Sequence, residues 1–253
     1  MAADDRSRAA VAALWDGFGP DDCEVLQVHS AFGGLSRQGV RAETFCDALI
    51  DRLAGRTLLM PAMSWRTVTP DNPVFDARTT PSHVGVLTEI FRTQFATHRS
   101  LHPTHSVAGC GPLAEYLLSM HHLGTTPCPG GSPYGLARDY ETRILLLGVG
   151  LESCTACHYP EEMIAPDIYV RPIEEAEPYR LIDPQGRVHE HLTRRHRGVP
   201  RDFPRFEAIL REEGVLREGR LGDTRWLSFT LRDLYRIILR ALADNPSATL
   251  RAT

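Results

Sequence analysis

Lysine is missing from this chain: all 28 of its basic residues are arginine. That excludes a lysine Schiff base, the phosphate-binding lysine of a P-loop and the strand lysine of a kinase. Guanidinium binds anions but does not titrate near neutrality, so a proton acceptor must come from His, Glu, Asp, Tyr or Cys. A basic excess is missing too. With 32 acidic residues against those arginines the formal net charge is −4, which argues against a dedicated nucleic-acid binder. No apolar run approaches the ~20 residues of a membrane helix. The opening MAADDRSRAA carries two acids and two arginines and no apolar stretch, so it does not read as a secretory signal, and a cytoplasmic protein is expected. Six cysteines (23, 46, 110, 128, 154 and 157) then read as reduced thiols. What is present is enough for a packed core: 253 residues, 42% hydrophobic and 24% charged. Repeats, low-complexity tracts and linkers are absent, and the expectation is one domain spanning 1–253.

Along the chain, Val11, Leu14, Trp15 and Phe18 fall at helical spacing within 5–18. Residues 24–28 (EVLQV) predict a short buried strand that empties into the small-residue turn His29-Ser30-Ala31-Phe32-Gly33-Gly34. A helix with Phe45, Leu49, Ile50 and Leu53 on one face and Gly55 at its end follows, then a strand at 57–60. Strand, turn, helix and strand in that order mark a layered α/β fold. A long polar loop covers 64–82, and loops of that length are usually functional. Ser82 is placed to cap the next helix, and Ser132 to cap another with Pro133 at its first position. Residues 143–149 (RILLLGV) predict a strand buried on both faces. Two strands flank Asp183-Pro184-Gln185-Gly186 as a hairpin, and two helices end the chain, the last opening at Thr230 with Asp233 at capping-box spacing.

Several constellations invite chemistry. Gly148-Val149-Gly150 begins like a dinucleotide fingerprint, but Ser153 stands where the third glycine is needed, so a tight turn is the plainer reading. Cys154-Thr155-Ala156-Cys157-His158 matches the haem-attachment pattern in a chain with no export signal, and coincidence is the plainer reading there. His158 and Glu161 stand three apart on a helical stretch, which puts them on one face. A carboxylate on one ring nitrogen fixes the tautomer and leaves the other basic, as a general base requires; the plain alternative is a surface pair of small energetic value. His102-Pro103-Thr104-His105-Ser106 offers two imidazoles and two hydroxyls, either as a pocket wall or as a turn that satisfies its own backbone. With no third ligand at a clear spacing, no metal is expected.

Taken together, these segments resemble the aminoglycoside 3-N-acetyltransferase family. The matching pieces are His29-Ser30, Met60-Pro61 with Trp65, Phe75-Asp76, Thr80-Pro81-Ser82 and Gly85. They continue with Arg99-Ser100-Leu101-His102-Pro103-Thr104-His105-Ser106, Pro127-Cys128, Gly131-Ser132-Pro133-Tyr134-Gly135 and Leu146-Leu147-Gly148-Val149-Gly150-Leu151, then Thr155, His158 and Glu161. They run in family order across 26–161, and the tail from Arg201 also resembles the family's end. The resemblance implies a three-layer α/β/α fold around a mixed β-sheet, distinct from the common N-acetyltransferase superfamily. It implies an acetyl-CoA-dependent N-acetyltransferase with His158 as general base and Glu161 as its orienting partner. His29, Ser30, Ala31, Phe32, Gly33 and Gly34, with His102, Thr104, His105 and Ser106, would contact coenzyme A, and Trp65, Asp76 and Tyr134 the acceptor. The partners implied are coenzyme A and a small-molecule amine, with neither nucleic acid nor membrane; an oligomeric state is not implied. Pro160 lies between the two catalytic positions and is compatible with a helix only near its start.

The acceptor is open at this point. Family analogy points to an aminoglycoside or a similar compound; the alternative is a non-aminoglycoside amine, or another acyl thioester donor, in specialised metabolism. Between 187 and 205 six arginines (187, 194, 195, 197, 201 and 205) face only Glu190 and Asp202, a local net of +4. If that tract lined the cleft it would favour an anionic acceptor over a polycation; otherwise it is a solvated loop.

Overall fold

The computed structural model describes residues 2–20 and 22–251. The two apolar runs become the centre of the molecule. β1 (Val25–Ser30) and β6 (Thr142–Leu147) lie parallel, from Val25 opposite Thr142 to Ser30 opposite Leu147. β2 (Thr57–Pro61) runs parallel to β1 on its other side. Beyond β2 come antiparallel β5 (Val107–Cys110) and β4 (His98–Arg99); beyond β6 come β10 (Thr224–Thr230) and β9 (Arg217–Leu221). The result is a seven-stranded mixed sheet ordered β4-β5-β2-β1-β6-β10-β9.

Side-chain alternation along these strands divides the core in two. On β6, Ile144 and Leu146 enter one core and Leu145 and Leu147 the other; on β1, Val25 is separated in the same way from Leu26 and Val28. The second core is covered by α1 (Ala3–Phe18), α2 (Gly33–Arg37), α3 (Ala42–Leu53) and α4 (Val86–Gln94). The first is covered by α5 (Ala114–Ser119), α6 (Pro133–Leu136), α7 (His158–Ile164), α8 (Pro166–Tyr169), α9 (Arg205–Glu212) and α10 (Leu231–Asp244). Helices on both faces of a mixed sheet make the expected three-layer α/β/α arrangement. Burial of each large apolar side chain, such as Leu234 or Ile238 on α10, contributes ~1.5–3 kcal/mol. Two caps stand where the sequence puts them: the Ser132 hydroxyl accepts the Gly135 N–H at 3.1 Å, and Thr230 accepts that of Asp233 at 3.0 Å.

Two expectations need correction. Ser82 does not cap α4, which starts at Val86 behind Gly85; Ser82 instead gives its backbone N–H to the Glu89 carboxylate at 2.8 Å. The two terminal helices are separated by the β9–β10 hairpin. β9 is a polar edge strand, Arg-Glu-Gly-Arg-Leu, in which only Leu221 is buried, so it carries almost no apolar alternation to read.

The hairpin expected around Asp183 forms, as β7 (Glu177–Ile182) and β8 (Val188–Thr193). It pairs with β3 (Val74–Asp76), a segment of the long polar loop, in a second, three-stranded sheet over a small core of Val68, Phe75, Ala77, Tyr179 and Leu181. Arg99, on the outermost strand of the main sheet, ties the two together. Its guanidinium lies 4.7 Å from the Phe75 ring and donates to the carbonyls of Ala62, Ala77 and Thr80 and to Ser106 Oγ.

Because β1, β2 and β6 are mutually parallel, their carboxyl ends share one edge of the sheet, the usual place for a ligand in an open α/β fold. The loops leaving β1 and β6 cross there. Gly148 sits at φ +71°, and a Cβ on it would lie 2.6 Å from the Ala31 carbonyl oxygen, so only glycine lets the two loops pass.

Candidate active site

A cleft of about 670 Å³ opens at this edge. Its walls come from the end of β1 (His29, Ser30, Ala31), the segment after β2 (Met63, Trp65, Arg66), the approach to α4 (His83, Val84, Gly85), His105, and the run from Val149 to His158. A second cleft of about 510 Å³ adjoins it, sharing Ala31, Val149 and Glu152 and adding Gly33, Gly34, Arg37 and the tip of the β9–β10 hairpin.

Four imidazoles line the first cleft: His29, His83, His105 and His158. Burial holds His29 down to about 4. Burial and then the charge of Arg66 lower His83, and burial followed by the neighbouring His196 and His158 lowers His105 well below the ordinary value. Of the four, only His158 has a carboxylate on a ring nitrogen, Glu161 Oε2 at 2.8 Å from Nδ1. Two short 3₁₀ turns, 151–153 and 155–157, lead into α7, so His158 is its first residue and Pro160 falls in its first turn, where the missing N–H costs nothing. The i,i+3 spacing therefore survives. Since the carboxylate accepts the proton on Nδ1, Nε2 is left as the basic nitrogen.

Glu161 is fully buried. Burial pushes its pKa up, but the hydrogen bond and charge of His158, with Arg201 and Thr249, outweigh that and leave it below the usual carboxylate value. Arg201 Nε is 3.5 Å from Oε2. Thr249 Oγ1 donates to Oε1 and lies 2.7 Å from the Tyr169 hydroxyl, which donates to the Pro246 carbonyl. An anion this buried is retained because each oxygen has a partner.

The other expected site residues divide. Ser30 and His29 line the first cleft, and Ser30 Oγ and His29 Nε2 are buried without a partner among the described residues. Trp65 is 41% exposed and meets His83 edge-on at 4.4 Å. Ala31, Gly33, Gly34 and His105 line the clefts. Phe32 does not: it is core, packed edge-on to Phe45 at 5.2 Å. Neither do His102, Thr104 and Ser106. His102 Nδ1 accepts the N–H groups of Thr104 and His105 at 3.2 and 2.9 Å, Thr104 Oγ1 bonds His105 Nδ1 at 2.8 Å, and Ser106 Oγ donates to the Ala62 carbonyl at 2.7 Å. Most of their polarity is spent on their own loop and its neighbours; of these three residues only His102 keeps a buried atom, Nε2, without a partner among the described residues. Asp76 lies outside both clefts, where its carboxylate accepts the Arg78 N–H, and Tyr134 is fully buried in the core. Nor does any arginine of 187–205 line a cleft. Arg187 pairs with Asp183 and Arg195 with Glu177, while Arg194, Arg197 and Arg205 donate to the carbonyls of Arg171, Val170 and Ala248. The charge argument for an anionic acceptor loses its footing.

Sequence reasoning missed Arg201, Tyr169 and Thr249 around Glu161. It also missed a second pair: Glu162, the next residue, holds His196 Nε2 at 2.6 Å, and the His196 ring lies 4.3 Å from that of His158. No spacing connects these positions. Cys128 completes the one group of three metal-type side chains brought together among the described residues, with Glu162 and His196. There both Glu162 oxygens already accept the Cys128 N–H, and burial keeps the Cys128 thiol protonated. Cys154 and Cys157 are buried free thiols, Cys154 at the cleft wall. No described helix is long and apolar enough to cross a membrane.

The family model for aminoglycoside 3-N-acetyltransferase matches residues 27–243. The chain belongs to that family. Its chemistry is therefore that of an N-acetyltransferase. The chain is 28% identical over 226 residues to aminoglycoside N(3)-acetyltransferase IV of Salmonella, a match covering 88% of this chain and 82% of that one. Among solved structures it resembles the apoenzyme of aminoglycoside acetyltransferase AAC(3)-IVa, with a TM-score of 0.78 at 25% identity, covering 97% of this chain and 91% of that one. That enzyme was also crystallised, as a mutant, in complex with a gentamicin. AAC-IIIb, solved as a binary complex with CoASH, shares the fold at a TM-score of 0.78 and 20% identity, over 97% of this chain and 98% of that one.

Proposed function

We propose that the chain, read as one acetyltransferase domain over 1–253, moves an acetyl group from acetyl-CoA to an amino group of an aminoglycoside-type acceptor by direct attack. The observation that carries this is the His158–Glu161 pair, the only imidazole of the first cleft with a carboxylate behind it among the described residues. An amine must lose a proton as it attacks a thioester. His158 Nε2 takes that proton while the C–N bond forms, and Glu161 stabilises the imidazolium. The C–S bond then breaks, and the proton passes from His158 to the departing sulfur as CoA thiol. The unpartnered Ser30 hydroxyl is the donor best placed for the thioester oxygen at the end of β1. The residues present suit coenzyme A in the second cleft: Gly33 and Gly34 bring the backbone to its wall, and Arg37 supplies positive charge for phosphate.

One observation keeps a second acceptor class in view. Among the described residues, the only carboxylate lining the first cleft is that of Glu152, and it accepts the Gly150 N–H at 2.8 Å. A polycation would find little opposite charge there, and an amine of lower charge suits it as well. Thiol release from acetyl-CoA against gentamicin-type, kanamycin-type and singly charged amines separates the two. With the better acceptor, His158→Ala is expected to lose ~10²–10⁴-fold in kcat and keep CoA affinity. A His158→Ala protein with wild-type turnover defeats the assignment.

A further inference from the structure

Glu161 and Glu162 are consecutive, yet each carboxylate holds a different imidazole: Glu161 Oε2 at 2.8 Å from His158 Nδ1, and Glu162 Oε1 at 2.6 Å from His196 Nε2. The two rings overlie each other, centroids 4.3 Å apart and planes inclined by 37°. Phe203 closes on His158 edge-on at 5.0 Å, so His158 is held between an imidazole and an aromatic edge. Glu162 is only 4% exposed, and its other contact is the Cys128 N–H, which both oxygens share at 2.9 and 3.0 Å. A buried carboxylate aimed at a ring that touches the base is more than packing demands; a leucine would fill the space without the cost of burying a charge.

We infer that His196, fixed by Glu162, is a positioning residue for His158: it fixes the plane of the base and permits proton uptake from the acceptor only while it is itself uncharged. This rests on His158 being the general base. Overlying rings cannot exchange a proton along a hydrogen bond, because each ring's N–H bonds lie in its own plane. Their coupling is through charge. Two imidazoliums at this distance in a buried site repel, so a proton on one ring disfavours a proton on the other.

The groups facing His196 set the balance. From α7 come His158, Glu161 and Glu162; from the 99–106 segment His102 and His105; from its own segment Arg195 and Arg201; and opposite it the Cys128 thiol. Burial, then His158, disfavour charge on His196; the Glu162 hydrogen bond and charge favour it, Arg201 opposes it, and the net effect lowers its pKa. His196 is thus neutral when His158 must work and acquires a proton only as the pH falls, at which point the base is disabled even where it is still unprotonated.

The test is the acid limb of kcat/KM against pH, paired with histidine ring NMR, which needs no acceptor. In the wild type the limb should steepen toward a hundredfold loss per pH unit, since either of two protons stops the reaction. In His196→Gln, whose amide still donates to Glu162, it should fall tenfold per unit, with kcat at the alkaline plateau reduced by about 10- to 100-fold from misplacement of the base. The His158 ring resonance, assigned from its loss in His158→Ala, should titrate in two steps in the wild type and one in His196→Gln. A merely structural role would lower the melting temperature and leave slope and step number unchanged, overturning the inference. So would stoichiometric metal in the purified wild type whose chelation abolishes activity, since Cys128, Glu162 and His196 would then serve an ion. If His158→Ala stays active, the general-base reading has failed; if it is inactive and the His196→Gln curves superpose on the wild type, only this inference has.

Discussion

Two histidine-bearing segments with the same polar character, 29–34 and 102–106, end in opposite circumstances. The first leaves β1 at the carboxyl edge of the sheet and keeps buried atoms without partners among the described residues, Ser30 Oγ and His29 Nε2, at the wall of a cleft. The second folds back on itself. His102 accepts two backbone N–H groups and stacks on His121 at 4.6 Å, and His121 in turn bonds Ser100 Oγ and the Pro127 carbonyl, each at 2.9 Å. Residue type does not distinguish a loop at a cleft wall from one folded back on itself. What distinguishes them is where the unspent atoms lie: His29 and Ser30 stand at a cleft wall, whereas His102, whose Nε2 is also without a partner among the described residues, is enclosed in the core.

That contrast can be broken experimentally, and the largest effect should come from acid. Burial holds His29 at about 4 and His121 at about 3, against an ordinary value of 6.5. Both are neutral when folded and free to protonate when unfolded, so the unfolded chain binds more protons below pH 6.5. Stability present above that pH is lost as the pH falls toward each folded value, on the order of 1.4 kcal/mol per pH unit for each ring. Urea denaturation at pH 7 to 4.5 should show this slope, and His121→Gln should flatten it; an unchanged slope in that variant would refute the account. Next comes Arg99→Leu, which takes a donor from the Ala77 and Thr80 carbonyls and from Ser106, while Ala62 keeps that of Ser106, and should cost about 3 kcal/mol, read as a lowered melting temperature. His102→Leu leaves the Thr104 and His105 N–H groups unpaired and should cost about 2 kcal/mol, with the KM for acetyl-CoA moving less than about 2-fold. Smallest in stability is Ser30→Ala, within about 0.5 kcal/mol because its hydroxyl has no partner to lose, yet as the proposed donor to the thioester oxygen its loss should lower kcat by about 10²-fold. A reversal of the last two, with His102→Leu shifting KM and Ser30→Ala melting the protein, would invert the comparison.

Much of the frame was legible because burial writes itself into sequence. β6, at 142–147, is buried on both faces, and 143–149 read as one apolar run; Thr230 and Asp233 announce α10. The His158–Glu161 pair was legible because helical geometry makes contact a matter of counting three. The rest of the site was not, since its contacts cross the chain: Glu162 meets His196 over 34 positions and Glu161 meets Thr249 over 88. Phe32, Asp76, Tyr134 and His102 were misplaced for a related reason. They sit in the right segments, but which way a side chain turns depends on partners that local spacing does not encode, and β9 escaped notice because an exposed edge strand has nothing apolar to alternate.

The clasp on Glu161 has a consequence for how this protein comes into being. Thr249 reaches back across the fold to the Glu161 carboxylate that holds His158, and Tyr169 anchors it there through a hydroxyl tied to Pro246. During synthesis β1, β2 and β6, the lining of the first cleft and the His158–Glu161 helix are all made well before position 249. A nascent chain can therefore hold the whole lining of the first cleft and still lack the hydroxyl that clasps Glu161, so the contact works as a latch that closes last.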